Sequence, residues 1–159
     1  MGLRFLLYGL LGWCAEIVWT ALYEALAGSR PDEEDPSRRR PLSRRARLRL
    51  TGRTYLWMLP IYGSAAVLFE PAHEAVRAWP WPLRGLVWMV AIFAVEYAAG
   101  WLLRRLVGRC PWDYHSARWH VHGLIRLDYA PIWMAFGFFL ERVHDVLCQI
   151  EPALRAALA

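Results

Sequence analysis

Residues 83–107 read LRGLVWMVAIFAVEYAAGWLLRRLV, and Glu96 is the only charged residue between Arg84 and Arg104. A helix needs about 20 mostly apolar residues to cross the hydrocarbon core of a bilayer. Three further stretches of similar length and character lie at residues 3–27, 55–78 and 129–150. None of them alternates between apolar and polar residues, which disfavours strands. The sequence therefore predicts an all-α protein whose residues 1–159 form one membrane domain, with four transmembrane helices in an antiparallel bundle. A soluble helical bundle is the less favoured alternative.

The distribution of arginine predicts an orientation. All 19 basic residues are arginine, and nine of them lie in the loop 28–53 together with four acidic residues. Residues 104–126 add five more, so one side of the predicted bundle carries 14 arginines and the other side five. Cytoplasmic loops of membrane proteins are enriched in basic residues. We therefore predict a multi-pass cell-membrane protein with cytoplasmic loops at 28–53 and 108–128 and with both termini outside.

The Arg-rich loop 28–53 could also be interpreted as a nucleic-acid-binding arm. Its arginines are not interleaved with the aromatic side chains on which bases stack. We therefore predict no nucleic-acid partner and favour contact with anionic lipid headgroups. Pro31, Pro36 and Pro41 predict a partly disordered connector.

Each predicted span carries one glutamate well inside it and, four residues from that glutamate, a small residue. The glutamates are Glu16, Glu70, Glu96 and Glu141, and the small residues are Gly12, Ala66, Gly100 and Gly137. At helical period this spacing puts the carboxyl group and a gap for a neighbouring helix on one stripe. An ionised carboxylate at the bilayer centre costs about 3 kcal/mol. The four glutamates are therefore predicted to face one another inside the bundle, where they could bind a cation or relay protons.

Two Glu-x-x-His pairs raise the question of a metal. Glu70–His73 and Glu141–His144, with one glutamate on each of the other two helices, match the ligand inventory of di-iron carboxylate bundles. Glu70, however, lies about 7 Å from the midpoint of its span, at 1.5 Å per residue. We predict no cofactor, and keep a two-metal site on these four residues as the alternative.

The predicted loop 108–128 offers a second group of metal-ligand residue types. These are Cys110, Asp113, His115, His120 and His122. Their spacing fits no common structural zinc pattern, so membrane-interface anchoring is the favoured interpretation. The chain also lacks a CxxC pair, a GxxxxGK[ST] phosphate loop, a GxGxxG fingerprint and a GxSxG elbow. An enzymatic activity is therefore disfavoured, although it stays open.

Five short motifs carry a family resemblance. They are GWCAE at 12–16, PIYG at 60–63, EYAAG at 96–100, CPWDY at 110–114 and GLIRL at 123–127. The chain resembles the small membrane proteins called ABC-transporter type IV permeases, or CmpB-like proteins, and is even more similar to the eukaryotic transmembrane protein 229 family. The resemblance implies four spans and a permease-like role. The family pattern falls on Trp13, Glu16, Pro60, Tyr62, Gly63, Glu96, Trp112, Asp113, Tyr114, Gly123 and Ile125.

The motif residues suggest a kink and a cap. Pro60 and Gly63 predict a kinked second span. Asp113 is predicted to accept a hydrogen bond from Arg126 or from a helix N-terminus, which would close the cytoplasmic mouth of the bundle. With these additions, the candidate binding or proton-relay residues are Glu16, Tyr62, Glu70, Glu96, Asp113, Tyr114, Arg126 and Glu141.

Three functions of different classes follow from these features. The first is a permease-like or ion-binding membrane subunit that uses the intramembrane glutamates. The alternatives are a membrane-embedded enzyme that acts on lipid, with or without metal, and a non-catalytic membrane partner protein. One four-helix bundle encloses little volume, so we expect membrane lipids and either further copies of the chain or a second membrane subunit as partners.

Overall fold

The computed structural model describes residues 2–32 and 38–158. This part of the chain is mostly helical. Its helices are α1 (Gly2–Ala27), α2 (Arg44–Leu48), α3 (Met58–Gly63), α4 (Ala65–Val76), α5 (Trp81–Val107) and α6 (Ala130–Leu158). Its strands are β1 (Ser29–Pro31), β2 (Arg39–Pro41), β3 (His120–Val121) and β4 (Ile125–Arg126), and a 3₁₀ turn at Leu127–Tyr129 leads into α6.

Two of the described helices, α1 and α5, are long and apolar enough to cross a membrane. They have 26 and 27 residues, which corresponds to about 40 Å at 1.5 Å per residue. Only 17% of the apolar window of each helix is buried. The core helix of a soluble protein would be covered on most of its surface. Exposed apolar side chains such as Val18 and Val90 are instead typical of helices that face lipid.

The second predicted span is interrupted. The single helix expected over 55–78 is divided into α3 and α4 at Ser64. Pro60 lies in the first turn of α3, where a helix has no use for the missing N–H, so the proline itself breaks no hydrogen bond. The hydroxyl of Ser64 donates to the carbonyl of Ile61 at 2.6 Å. The interruption therefore lies one residue after Gly63 and not at the proline.

The last helix is longer and more polar than the sequence suggested. The predicted span 129–150 corresponds to α6, which continues to Leu158. Its middle carries Glu141, Arg142 and Asp145, so α6 lacks the apolar length of α1 and α5.

Helices α5 and α6 run in opposite directions. Arg84, in the first turn of α5, contacts Glu141 near the middle of α6. Further along α5, Glu96 accepts a hydrogen bond from Trp133 near the start of α6. Between these contacts Trp88 is 1% exposed, because its indole packs directly on the backbone of α6.

The loops contain strand pairs that an all-α prediction omits. β1 pairs antiparallel with β2, and β3 with β4. Pro31 and Pro41 thus belong to an ordered hairpin and not to a disordered connector, while Pro36 lies outside the described residues. The segment after α2 returns along α1, where Arg53 forms an ion pair of 2.6 Å with the buried Glu24.

Candidate functional site

The four predicted glutamates divide into two groups instead of meeting at one place. Glu16 contacts Thr54 in the segment between α2 and α3, and Glu96 contacts Tyr114 in the loop that follows α5. Glu70 forms an ion pair with Arg4 in the first turn of α1. Arg4 and Glu16 are 12 residues apart on one helix, which corresponds to about 18 Å. The two groups therefore lie at different levels along α1.

The first group contains Glu16 and Glu96, here called the carboxylate pair, together with Tyr62. The hydroxyl of Thr54 donates to Glu16 Oε2 at 2.6 Å. The phenol of Tyr62, on α3, lies beside Glu16. Its ring packs on Gly12, where an added Cβ would lie 2.1 Å from the ring carbon Cγ. The glycine of the GWCAE motif thus makes room for the tyrosine beside Glu16.

Glu96 is held by two aromatic donors. Trp133 Nε1 donates to Glu96 Oε2 at 3.1 Å, and the Tyr114 hydroxyl donates to Oε1 at 3.3 Å. Burial raises the pKa of Tyr114 above its usual value, and the neighbouring Glu96 raises it further. The phenol therefore stays protonated and keeps its hydrogen for Glu96.

The residues 110–129 fold into a cap next to the carboxylate pair. Trp112 Nε1 donates to the carbonyl of Leu124 at 2.9 Å, and the backbone N–H of Tyr114 donates to the carbonyl of Gly123 at 3.0 Å. These two bonds bring the CPWDY motif against the GLIRL motif. The cap thus places Tyr114 over Glu96.

Asp113 has a different partner from the one predicted. It accepts the backbone N–H of His115 at 2.9 Å and lies 2.5 Å from the ring Nδ1 of the same residue. Burial would raise the pKa of Asp113, but the hydrogen bonds from His115 and the charge of Arg104 together lower it. Arg126 instead pairs with Asp128 and contacts the hydroxyl of Tyr129. The predicted bond between Asp113 and Arg126 is therefore wrong, because both residues take neighbours in sequence.

The other polar residues of the cap are already occupied. His120 Nδ1 accepts the backbone N–H of Gly123 at 3.0 Å, and His122 Nδ1 lies 2.9 Å from the Tyr97 hydroxyl. Cys110 is buried, and this burial raises the pKa of its thiol to about 11. A thiol in that state is a poor nucleophile and a poor metal ligand. These contacts favour a structural role for the cap residues.

The second group, here called the histidine cluster, lies where α4 and α6 meet the first turns of α1 and α5. It contains Glu70, His73, Glu74, Glu141, His144 and Asp145, with Arg4, Arg77 and Arg84 around them. The rings of His73 and His144 are 5.1 Å apart between centroids. The side chains of these two histidines are buried, as are those of Glu70 and Glu141. The structure thus brings together the four residues of the two Glu-x-x-His pairs.

The glutamates of the histidine cluster are engaged by other donors. Glu141 accepts from Arg84 Nη2 at 2.9 Å and from Trp88 Nε1 at 2.8 Å. Glu70 pairs with Arg4 Nη1 at 3.1 Å. The remaining two glutamates of the di-iron inventory belong to the carboxylate pair. A two-metal centre ligated by all four glutamates is therefore not assembled.

Sequence reasoning missed the arginines of the histidine cluster. The five arginines outside the predicted cytoplasmic side each pair with a carboxylate, and they are Arg4, Arg77, Arg84, Arg142 and Arg155. A signal for this pairing was available in the sequence. The five arginines are matched in number by the five acidic residues of α4 and α6, which are Glu70, Glu74, Glu141, Asp145 and Glu151. Trp88 gave no signal, because its role depends on the approach of α6.

Comparison with protein families agrees with the motif pattern. The family described as "Putative ABC-transporter type IV" matches residues 42–156, which is 115 of the 159 residues. The chain belongs to this family. The match includes Tyr62, Glu96 and the whole cap, as well as the histidine cluster apart from Arg4. No solved structure matches the chain.

Family membership and the two long apolar helices together support a location in a membrane. The family description concerns transport, and it assigns no role to any single residue of this chain. The roles of the carboxylate pair and the histidine cluster are therefore argued below from their geometry.

Proposed function

We propose that the chain is a four-span, permease-like membrane subunit in which Glu16 and Glu96 bind a cation or relay protons. The observation that carries this proposal is that neutral donors hold both carboxylates, with Thr54 on Glu16 and with Tyr114 and Trp133 on Glu96. In a proton relay, the Tyr62 phenol beside Glu16 would accept a proton from that carboxyl group while it donates its own onward. Intramembrane carboxylates that face one another mark ion and proton pathways in other membrane proteins.

The contacts between helix ends support four antiparallel spans. The first turn of α1 contacts Glu70 of α4 and Glu151 in the second half of α6, and the first turn of α5 contacts Glu141 near the middle of α6. The paired arginines all lie at this end, where each has a carboxylate within 4.0 Å. The Arg-rich hairpin and the cap lie at the other end. The positive-inside rule then orients the hairpin and the cap toward the cytoplasm and both termini outside.

The cap supplies a means to control access to Glu96. Tyr114 reaches Glu96 from the cap, whereas Trp133 reaches it from α6. A movement of the cap would remove one donor and leave the other in place. A cation from the cytoplasmic side would then reach the Glu96 carboxylate, and Trp133 would still hold that carboxylate in position.

The exposed surface supports a proposal about the partners. The apolar faces of α1 and α5 are largely uncovered, which suits contact with lipid chains or with another membrane subunit. One four-helix unit encloses little volume, so we propose that a transport path forms in a homo-oligomer or with a second membrane protein. The hairpin arginines suit anionic lipid headgroups, and nucleic acid has no part in the proposal.

Ion flux in proteoliposomes tests this proposal. The purified full chain is reconstituted, and proton entry is followed with an internal pH-sensitive dye, and Na⁺ entry with isotopic Na⁺. Glu96→Gln and Tyr62→Phe are expected to lower the initial rate by at least about tenfold. Glu151→Gln is the matched control, because Glu151 lies at the other end of the molecule, paired with Arg4 and Arg155. Its rate should equal that of the wild type.

The same measurement separates the three classes of function. Wild-type rates equal to those of empty liposomes, or rates insensitive to Glu96→Gln, would overturn the permease-like proposal. A variant with all four glutamates replaced by glutamine that still assembles normally would then favour the non-catalytic partner. A change in the composition of the added lipids would favour the enzyme.

A further inference from the structure

His73 is a buried side chain without a hydrogen-bond partner. Its side chain is 4% exposed, and neither ring nitrogen forms a hydrogen bond to any described residue. The ring lies flat against Phe69, at 5.6 Å between centroids and with an angle of 6° between the planes. Buried polar groups are nearly always satisfied by protein, water or a bound ion. The orientation fixed by Phe69 therefore directs an unsatisfied donor-acceptor ring into the histidine cluster.

Two further ligand types lie next to this ring. His73, His144 and Asp145 each offer one ligand atom, and these three atoms lie within 4.8 Å of one another. His144 and Asp145 are neighbours in sequence on α6, whereas His73 lies on α4. Residues that are close in space and distant in sequence can enclose an ion from two sides.

We propose that His73, His144 and Asp145 bind one divalent transition-metal ion of the Zn²⁺ type. Two imidazoles and one carboxylate form a set that zinc and ferrous iron accept, with further positions open to water or substrate. Ligand atoms around zinc are about 3.4 Å apart, given bonds of about 2.0–2.1 Å and tetrahedral angles. Because no two of the three ligand atoms are more than 4.8 Å apart, a movement of at most about 1.4 Å brings them to this spacing. Asp145 is the most exposed of the three, with a side-chain exposure of 33%, so rotation of this residue supplies the movement.

The buried glutamates have a supporting part in this site. Glu141 Oε1 is 3.8 Å from His73 Nδ1, and Glu70 Oε1 is 3.6 Å from His144 Nδ1. Both distances are too long for hydrogen bonds. When one ring nitrogen binds the metal, the other is free to donate to a carboxylate, and such carboxylates orient metal-bound histidines. The Glu-x-x-His pairs of the sequence thus cross between helices, because each glutamate faces the histidine of the other helix.

An open cleft gives access to the site. It has a volume of about 400 Å³ and is lined by Glu74, Arg77, His144, Asp145, Cys148 and Gln149. Arg77 pairs with Asp145 at 3.0 Å and with Glu74 at 3.4 Å. A metal ion would compete with this guanidinium for Asp145. Removal of the Arg77 charge should therefore strengthen metal binding, whereas removal of a ligand should weaken it.

Zinc affinity measured on the purified full chain tests the proposal. Zn²⁺ is titrated against a chromophoric chelator, and Co²⁺ is added separately to detect the visible absorption of a protein-bound ion. We expect one Zn²⁺ per chain, with an affinity that falls at least about 100-fold in His73→Gln and in His144→Gln. Arg77→Gln should raise the affinity, and because Arg77 is half-exposed this variant is expected to fold. His122→Gln is the matched control in the cap and should bind as the wild type does.

Several outcomes would overturn the site. They are a wild-type chain that binds no Zn²⁺, an affinity unchanged by His73→Gln, a loss of binding in His122→Gln, and an affinity lowered by Arg77→Gln. Size-exclusion profiles in detergent identify variants that fail to fold, and Arg77→Gln still decides the question in that case. The histidine cluster shares no residue with the carboxylate pair, so failure of the metal site and failure of the permease-like proposal are separate results.

Discussion

Replacing Gly137 by alanine is expected to force α6 away from α5. An ideal Cβ at this position would lie 2.2 Å from Trp88 Cβ and 2.4 Å from its Cγ, whereas ordinary contacts begin at 3.4 Å. The two helices must therefore separate by about 1.2 Å, and overpacking of this kind costs about 1–3 kcal/mol. The same shift strains the bond from Trp88 to Glu141, which is worth about another 1–3 kcal/mol. The higher helix propensity of alanine relative to glycine offsets about 1 kcal/mol of this destabilisation.

The net destabilisation by Gly137→Ala is therefore about 1–5 kcal/mol, which lowers the unfolding midpoint by about 2–20 °C for a chain of this size. The assay is thermal unfolding of the purified protein in detergent. Gly85→Ala is the matched control on the same helix pair, because its nearest neighbour is the flexible end of Met134 at 2.8 Å. An unfolding midpoint for Gly137→Ala equal to that of Gly85→Ala would refute the reasoning.

Two further predictions concern the cap and the orientation. Because the pKa of Asp113 is lowered in the folded protein, its ionised carboxylate stabilises the cap above the usual pKa of 3.8 and this contribution is lost as the pH falls below it. The difference in unfolding midpoint between wild type and Asp113→Asn should therefore be constant above about pH 5 and shrink in stronger acid; a difference that persists unchanged at low pH contradicts the assignment. A membrane-impermeant maleimide added to intact cells should label Cys148, which is exposed, and leave Cys110 unlabelled because burial raises the pKa of that thiol to about 11. Labelling of Cys148 only in inverted vesicles would reverse the proposed orientation.

Local pattern was sufficient for several features. The apolar runs at 3–27 and 83–107 correspond to α1 and α5, since the length and composition of a segment decide whether it can cross a membrane. The family membership was also predictable, because motifs such as CPWDY are contiguous. The small residues four positions from the glutamates marked positions of close approach, and Gly12 and Gly137 are the two with the closest neighbours of this kind.

The boundaries inside the second span were less accessible to sequence reasoning. Pro60 and Gly63 predicted a kink, and the observed break lies at Ser64. A proline in the first turn of a helix leaves no hydrogen bond unmade, so the position of the helix start decides what the proline does. That start depends on how the preceding segment packs along α1, where Arg53 and Thr54 contact Thr20 and Glu16.

Sequence alone determined that this chain carries long apolar helices, an excess of arginine in one loop and a glutamate in each of four segments. Only the tertiary structure decided which glutamates meet. Glu16 lies beside Tyr62 and Glu96 lies under the cap, whereas Glu70 lies beside His144 of α6 and Glu141 beside His73 of α4. The physical reason is that a helix places residues on a stripe by its own period, but the level and partner of each residue depend on the offset between helices. That offset is set by contacts such as Trp88 on Gly137, between residues that are 49 positions apart in the sequence.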